Sequence, residues 1–332
     1  MNNGRANESL AADVVACVES EPIAASGGDR VAALNVALLV GYVAISSFTP
    51  LAARDALIEL PPVSTGVIRF AIASALLLAV LRVWRSLGGS APQPIAREDY
   101  GRFLLAALLC VPLNQFCFLT GVSKANASHA GLMYALNPVL VYMLTLLLGQ
   151  ATWSARMAAA ALLAFGGAGV LAVDGLASVA GRNMFVGDML LLGAVATWSV
   201  YSVVVIPLGQ RYGTVRAATY VMVLGVLLYA PAALLDAHRL DVAALSGRAL
   251  RGFLFIAIAT SFVNYMLWFV ALTRMDVNRL SVAANAAPVF TVILAHQLRD
   301  EPLTSWLLAG AALIMSAISL ANWPRLRALL RR

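Results

Sequence analysis

From Val31 onward the chain is a succession of apolar stretches, each about 20 residues long, which is the length a helix needs to cross roughly 30 Å of hydrocarbon. Inside a bilayer every lipid-facing backbone N–H and C=O must be satisfied without water. Stretches of this length are therefore constrained to the α-helix. Ten are expected, at 31–51, 64–83, 103–122, 128–148, 155–173, 185–206, 216–235, 252–272, 279–298 and 304–322. Apolar residues make up 61% of the chain and charged residues 12%, against about 25% charged in a soluble domain. The expected fold class is an all-α membrane protein. The connections are marked by Pro61-Pro62, by Gly88-Gly89 with Pro92 and Pro94 in the loop 84–101, and by Gly181-Arg-Asn near the middle of the chain.

The net charge of +7 does not indicate a nucleic-acid partner, because the basic residues sit mostly between apolar runs, where they report orientation. With ten spans both termini lie on one side. If that side is the cytoplasm, the inner segments hold 15 basic residues and the outer loops 7, so both termini are expected inside, in a bacterial inner membrane. Residues 1–28 are polar and acidic, too weak in apolar character for a signal peptide, and are expected to form a disordered cytoplasmic tail. Residues 323–332 are expected to form a basic one. Cys17, Cys110 and Cys117 have no metal or redox spacing, and no cofactor is expected.

A second constraint lies in the fourth and ninth spans. The stretch from His129 to Val141 contains Asn137-Pro138-Val, and its echo from Arg279 to Thr291 contains Ala287-Pro288-Val, 150 residues later. Asn114 and Asn264, one span earlier in each half, repeat the same offset. A mid-span proline has no N–H and its ring clashes with the carbonyl four residues back, here that of Tyr134 or Ala284. The freed carbonyl needs protein, water or ligand. Interruptions at corresponding positions of two halves are how repeat-built transporters mark a substrate path. Five spans per half invert the second copy, so the expected architecture is ten transmembrane helices in two inverted five-helix repeats, 31–175 and 183–322.

These residues resemble a known family. Asn114-Gln-Phe116, Ala127-Ser-His-Ala130, Leu136-Asn-Pro138-Val139 and Leu148-Gly149-Gln150 in the first half resemble an EamA-type unit of the drug/metabolite transporter superfamily. So do Gly187-Asp188, Trp198-Ser199-Val-Tyr201, Asn264-Tyr-Met-Leu-Trp268, Ala287-Pro288-Val-Phe290 and Asp300-Glu301 in the second. Where the family often carries Gly-Glu after the fourth span of a unit, this chain has Gly149-Gln150 and Asp300-Glu301, and Phe48-Thr49-Pro50 stands where a Trp-Gly pair is common. The resemblance implies export of amino acids, metabolites or drugs.

The candidate pathway residues are the two prolines and the polar or aromatic side chains around them. Asn114, Gln115, Asn137, Asn264 and Asn285 are amides within spans, placed either to line a path or to join helices. Arg69 either snorkels outward or faces a cavity and holds a carboxylate. His129, near the expected outer face, is a gate, a protonatable ligand or an interfacial histidine. Tyr134, Trp198, Tyr201, Trp268 and Phe116 offer surfaces for packing on substrate, while Trp153, Trp306 and Trp323 read as interfacial anchors. Asp188 is the single acid expected inside a span, so weak dependence on a proton gradient is expected.

The chain is thus expected to be a secondary transporter exporting small metabolites such as amino acids, with a small-molecule substrate and membrane lipid as partners and an oligomeric state the sequence leaves open. A proton-coupled multidrug exporter is the alternative. A membrane receptor or scaffold is the alternative of another class. No His-Glu-x-x-His or Gly-x-Ser-x-Gly motif supports an enzyme.

Overall fold

The computed structural model describes residues 28–88, 93–241, 245–274 and 284–330. Helix α1 runs Gly28–Ala56 and α2 Pro62–Ser86. Helix α3 runs Arg97–Lys124, with a wide π segment at Leu109–Leu113. The fourth expected span is two helices, α4 (Ala127–Tyr134) and α5 (Asn137–Leu147). Helix α6 runs Ala155–Ala177, α7 Arg182–Val204, α8 Ile206–Tyr212 and α9 Thr214–Ala233. Helix α10 is built from Gly247–Leu254, a π segment Phe255–Val263, and Asn264–Arg274. Helix α11 is Ala287–Arg299 and α12 Ser305–Leu330. Among the described residues, nine helical segments are long and apolar enough to cross a membrane and no strand occurs. The first part of the expected ninth span lies outside the described residues, as does nearly all of the expected N-terminal tail. Residues 323–330 of the expected C-terminal tail continue α12 to Leu330, built largely from Arg, Leu and Ala, which favour helix.

Proline does more at these positions than kink a helix. Between α4 and α5 the N–H groups of Ala135 and Leu136 donate to Leu132 O and Met133 O, three residues back, at 3.1 and 3.0 Å. This tightened turn ends α4, and α5 then starts with Pro138 in its first turn, where a missing N–H costs nothing. The second half repeats the pattern. Asn285 and Ala286 form a turn, and α11 opens with Pro288 in its first turn.

The connections gather at two ends of the bundle. At one end Arg54 donates to Glu301 (3.0 Å) and Asn126 (2.8 Å). Asp55 pairs with Arg248 and Arg299 there. Asp236 accepts from Val63 N and Ser64 N at 2.9 and 3.1 Å, satisfying donors that α2 leaves free. At the other end Arg211 pairs with Glu98 and Asp99, Tyr212 Oη donates to Asp99 at 2.8 Å, and Arg216 lies 4.5 Å over the Trp84 ring.

Small residues let the helices approach closely. A Cβ on Gly167 of α6 would lie 2.9 Å from the carbonyl of Gly310 on α12, and one on Gly131 of α4 would lie 2.6 Å from Thr291 Cγ2 of α11. The buried apolar residues form two large clusters, which meet along α3 and α7. In α3, Leu109–Val111 belong to one cluster and Phe118–Val122 to the other. In α7 the change falls between Val195 and Tyr201. Polar residues fill the boundary.

Candidate functional site

The boundary between the two apolar clusters is a polar layer. In α3 it holds Asn114 and Gln115, both buried. Asn114 Nδ2 donates to Ala194 O at 2.7 Å and lies 3.4 Å from Tyr134 Oη and Thr197 Oγ1, while Gln115 Nε2 donates to Asn114 Oδ1 at 2.8 Å. In α7 the layer holds Ser199, whose hydroxyl donates to Asn137 Oδ1 at 2.8 Å, directly at the break before Pro138. In α10 it holds Asn264, whose Nδ2 donates to Ser46 Oγ of α1 at 3.0 Å. Ser47 of α1 donates to Ala287 O, at the other break, at 3.1 Å. Each π segment ends one residue before its asparagine. π segments occur frequently at functional sites, since the wider turn re-aims the side chains beyond it.

These contacts come in matching pairs. Asn114 of α3 reaches Thr197 of α7, and Asn264 of α10 reaches Ser46 of α1. Asn264 follows Asn114 by 150 positions and Thr197 follows Ser46 by 151. Likewise α7 supports the break at Asn137 through Ser199, and α1 supports the break at Ala287 through Ser47.

Arg69 projects from α2 beside this layer and is buried, with 4% of its surface exposed. It does not snorkel. Its Nε donates to Ser261 Oγ, in the π segment of α10, at 2.9 Å. The neighbouring aromatic wall is formed by Trp198 against Tyr201 (5.1 Å between centroids) and Tyr265 (6.2 Å), and by Tyr265 against Phe269 (6.1 Å).

The structure therefore brings Arg69, Asn114, Gln115, Tyr134, Asn137, Trp198, Tyr201 and Asn264 to one level, with Pro138 and Pro288 opening the adjoining helices. Asn285 is half-buried in the second turn. Trp268 stacks on Tyr42 of α1 instead, 5.0 Å away. Phe116 is exposed on the outer surface of the bundle, one residue past Gln115 on a helix, and does not join the wall. Trp153, Trp306 and Trp323 are exposed, as anchors require. Sequence reasoning missed Ser261, Thr197 and Tyr265. The only local signal for Tyr265 was its place next to Asn264.

His129 is elsewhere. It sits near the start of α4, at the Glu301 end, fully buried. Its Nδ1 lies 2.9 Å from Asp188 Oδ1 of α7, and its Nε2 lies 3.1 Å from Asp174 Oδ2 of α6. Thr304 Oγ1 donates to the other Asp174 oxygen at 2.8 Å. Asp188 is thus not the only acid within a helical span: α6 extends to Ala177 and includes Asp174, which lies one residue past the expected end of that span. Two hydrogen bonds between one imidazole and two carboxylates need two protons. A neutral imidazole brings one, so the triad holds one further proton, as imidazolium or as a protonated carboxyl. Close by, Glu301 accepts from Ala127 N (2.8 Å), Ser128 N (3.0 Å) and Ser128 Oγ (2.6 Å), capping α4. A cleft of about 550 Å³ opens at the opposite end, lined by Glu98, Asp99, Arg102 and Arg211 among others.

An all-helical bundle with breaks before Pro138 and Pro288 beside a polar layer is the build of a membrane transporter. The chain belongs to the EamA-like transporter family, whose profile matches it twice, at residues 34–173 and 185–323. It is a multi-pass membrane protein, and its family implies a small-molecule substrate. It is 26% identical over 245 residues to an uncharacterized transporter of Archaeoglobus fulgidus, covering 74% of this chain and 82% of that one. It is 24% identical over 252 residues to the uncharacterized transporter YetK of Bacillus subtilis, covering 76% and 75%. A protein of known crystal structure shares the fold with a TM-score of 0.60 at 21% identity, over 89% of this chain and 99% of that one.

Proposed function

We propose that the protein is a secondary transporter of the bacterial inner membrane. It exports small metabolites such as amino acids, by alternating access through the polar layer. Its ten spans form two inverted repeats, residues 31–175 and 183–322, with both termini cytoplasmic. The observation that carries this reading is the swapped pairing of α3 with α7 and of α10 with α1. The third span of the first repeat bonds to the first span of the second repeat, and the reverse pair bonds at the equivalent depth. A pseudo-two-fold axis relates such pairs, and five spans per repeat, an odd number, set that axis in the membrane plane. In the alternating-access scheme the two interrupted helices at that depth are the parts that rock.

The test is efflux of radiolabelled amino acids from proteoliposomes. Efflux well above that of empty liposomes, together with labelling by a water-soluble thiol reagent of single cysteines at Asn137 or Ala287 in a background free of native cysteines, is expected. Absence of flux for every compound tried refutes it. Reporter fusions at Arg97 and after Arg332 reading opposite sides refute the topology.

A second reading, a proton-coupled multidrug exporter, is favoured by one specific observation: the buried Asp174–His129–Asp188 triad, whose hydrogen bonds hold an exchangeable proton. Proton carriers in membranes are typically such intramembrane Asp, Glu and His chains. The two readings separate in the same liposomes. A pH gradient that accelerates efflux in the unsubstituted protein but not in Asp188→Asn selects coupling; efflux indifferent to the gradient selects a facilitator.

A further inference from the structure

We propose that Arg69 is the anion-binding residue of the pathway and that the transported molecule carries a carboxylate, bound by the Arg69 guanidinium with its apolar part against Trp198, Tyr201 and Tyr265. This rests on the transporter reading for its biological sense, and on three observations for its chemistry.

The first is an uncompensated charge. Arg69 is buried in the middle of the bundle, and among the described residues it makes no ion pair with any carboxylate. Among the described residues, the titratable groups beside it are Tyr265, Tyr134 and Cys110, two phenols and a thiol rather than carboxylates. Arginine cannot shed its proton to escape this cost. Buried charges in proteins are paired or hydrogen-bonded throughout, and an intramembrane charge without a partner is by default a functional site.

The second is an incomplete hydrogen-bond set. Nε is satisfied by Ser261 Oγ, but Nη1 is buried with no acceptor. The Ser261 bond fixes the plane of the group, and the Phe70 ring lies 5.2 Å from its central carbon. A planar guanidinium held by one edge leaves its remaining donors for a carboxylate, which can accept from two of them at once.

The third is what stands around it. One positive charge among neutral groups matches a singly charged ligand; a phosphate would call for more cations than this layer supplies. Gln115 Oε1 and Asn264 Oδ1 are buried acceptors without donors. Both belong to the same region: a Cβ on Gly66, one turn before Arg69, would lie 3.4 Å from Gln115 Cβ, and Asn264 is one turn beyond Ser261. Donor groups on a bound molecule, such as an ammonium, complete them. Trp198 and Tyr265 are only partly buried, leaving aromatic surface for the apolar part.

The experiment compares matched acids and amides on the purified full-length protein: phenylacetate with phenylacetamide, L-phenylalanine with L-phenylalaninamide, and isovalerate with isovaleramide. Binding is read by thermal stabilisation and by quenching of tryptophan fluorescence, in which Trp198 reports and a Trp198→Phe variant identifies its share. Each acid is expected to bind roughly tenfold or more tightly than its amide, the scale of one charge-assisted contact. Arg69→Gln is expected to abolish that preference and Arg69→Lys to retain part of it. A merely structural Arg69 changes stability in these variants without changing the acid-to-amide ratio. Equal affinity of acids and amides, no response to any acid at millimolar concentration, or an intact preference in a folded Arg69→Gln overturns the proposal. If Arg69→Gln does not fold, the ratio measured on the unsubstituted protein decides alone. Flux of acids and amides at equal rates would leave the transporter reading standing and remove this one. Acid-selective binding without any flux would do the reverse.

Discussion

The crossing of the two interrupted helices can be tested at a single contact. Gly131 of α4 faces Thr291 of α11, and a Cβ added at Gly131 would lie 2.6 Å from Thr291 Cγ2, 2.7 Å from its Cβ and 3.1 Å from its Oγ1. Thr291 is buried and its hydroxyl is tied to Ser47 O at 3.0 Å and Ala287 O at 2.9 Å. Its Cβ is fixed by the backbone, so no change of rotamer relieves the clash and the helices must separate. Overpacking of this kind costs about 1–3 kcal/mol. Alanine at a helical glycine gains about 1 kcal/mol from propensity. With two contacts under 3 Å the clash belongs at the upper end, so Gly131→Ala is expected to lose about 1–2 kcal/mol net. Thr291→Gly removes the obstructing atoms, at a cost of about 2 kcal/mol for the helical glycine and the lost hydroxyl. In the double variant the clash is gone, so the two losses do not add, and a coupling equal to the whole clash, about 2–3 kcal/mol in the stabilising direction, is expected. Thr291→Ser keeps the Cβ and is not expected to rescue. Unfolding of micelle-solubilised protein on titration with SDS, followed by circular dichroism, gives the four corners of the cycle. Wild-type stability of Gly131→Ala, or additive losses in the double variant, would show that α4 and α11 do not cross at this distance.

The buried triad predicts a graded series in the same titration. His129→Leu leaves Asp188 with no donor and Asp174 with only Thr304, so it is expected to lose about 3–5 kcal/mol, whereas Thr304→Ala loses about 1 kcal/mol; equal losses would show that His129 does not bridge the two carboxylates. Glu301→Gln weakens the cap on Ala127 and Ser128 and the pair with Arg54, with an expected loss of about 1–2 kcal/mol, and a neutral result refutes the cap. Pro138→Ala supplies the N–H that a continuous helix directs at the Tyr134 carbonyl, so α4 and α5 are expected to fuse, transport to fall, and the amount of folded protein in the membrane to stay equal or rise. Full transport in the Pro138→Ala/Pro288→Ala double variant would show that the interruptions are packing features.

How far the site was legible in the sequence differs from residue to residue. The breaks were visible because proline acts locally: the ring and the missing N–H keep Pro138 and Pro288 out of a helix interior, so each stands in the first turn of a helix, and the observed turns fall at residues 135–136 and 285–286. Asn114 and Asn264 were visible through their common offset. What they touch was not. Cys110, a small apolar residue by spacing alone, stands against Tyr201 and Tyr265, and nothing near it in the chain announces those partners. Phe116 and Gln115 are neighbours in sequence, yet one is exposed and the other buried, because consecutive helical residues point about 100° apart.

Hydrophobic length, basic loops and proline position are one-dimensional quantities, set by bilayer thickness and backbone chemistry. By themselves they determined an all-helical membrane chain and the place of its interruptions. The rotation of each helix about its axis is not one-dimensional. It depends on where small residues such as Gly131, Gly167 and Gly310 let neighbours approach. Only that packing decided that His129 meets Asp174 and Asp188, 45 and 59 residues away, and that Arg69 meets Ser261, 192 residues away, with no acid beside it among the described residues.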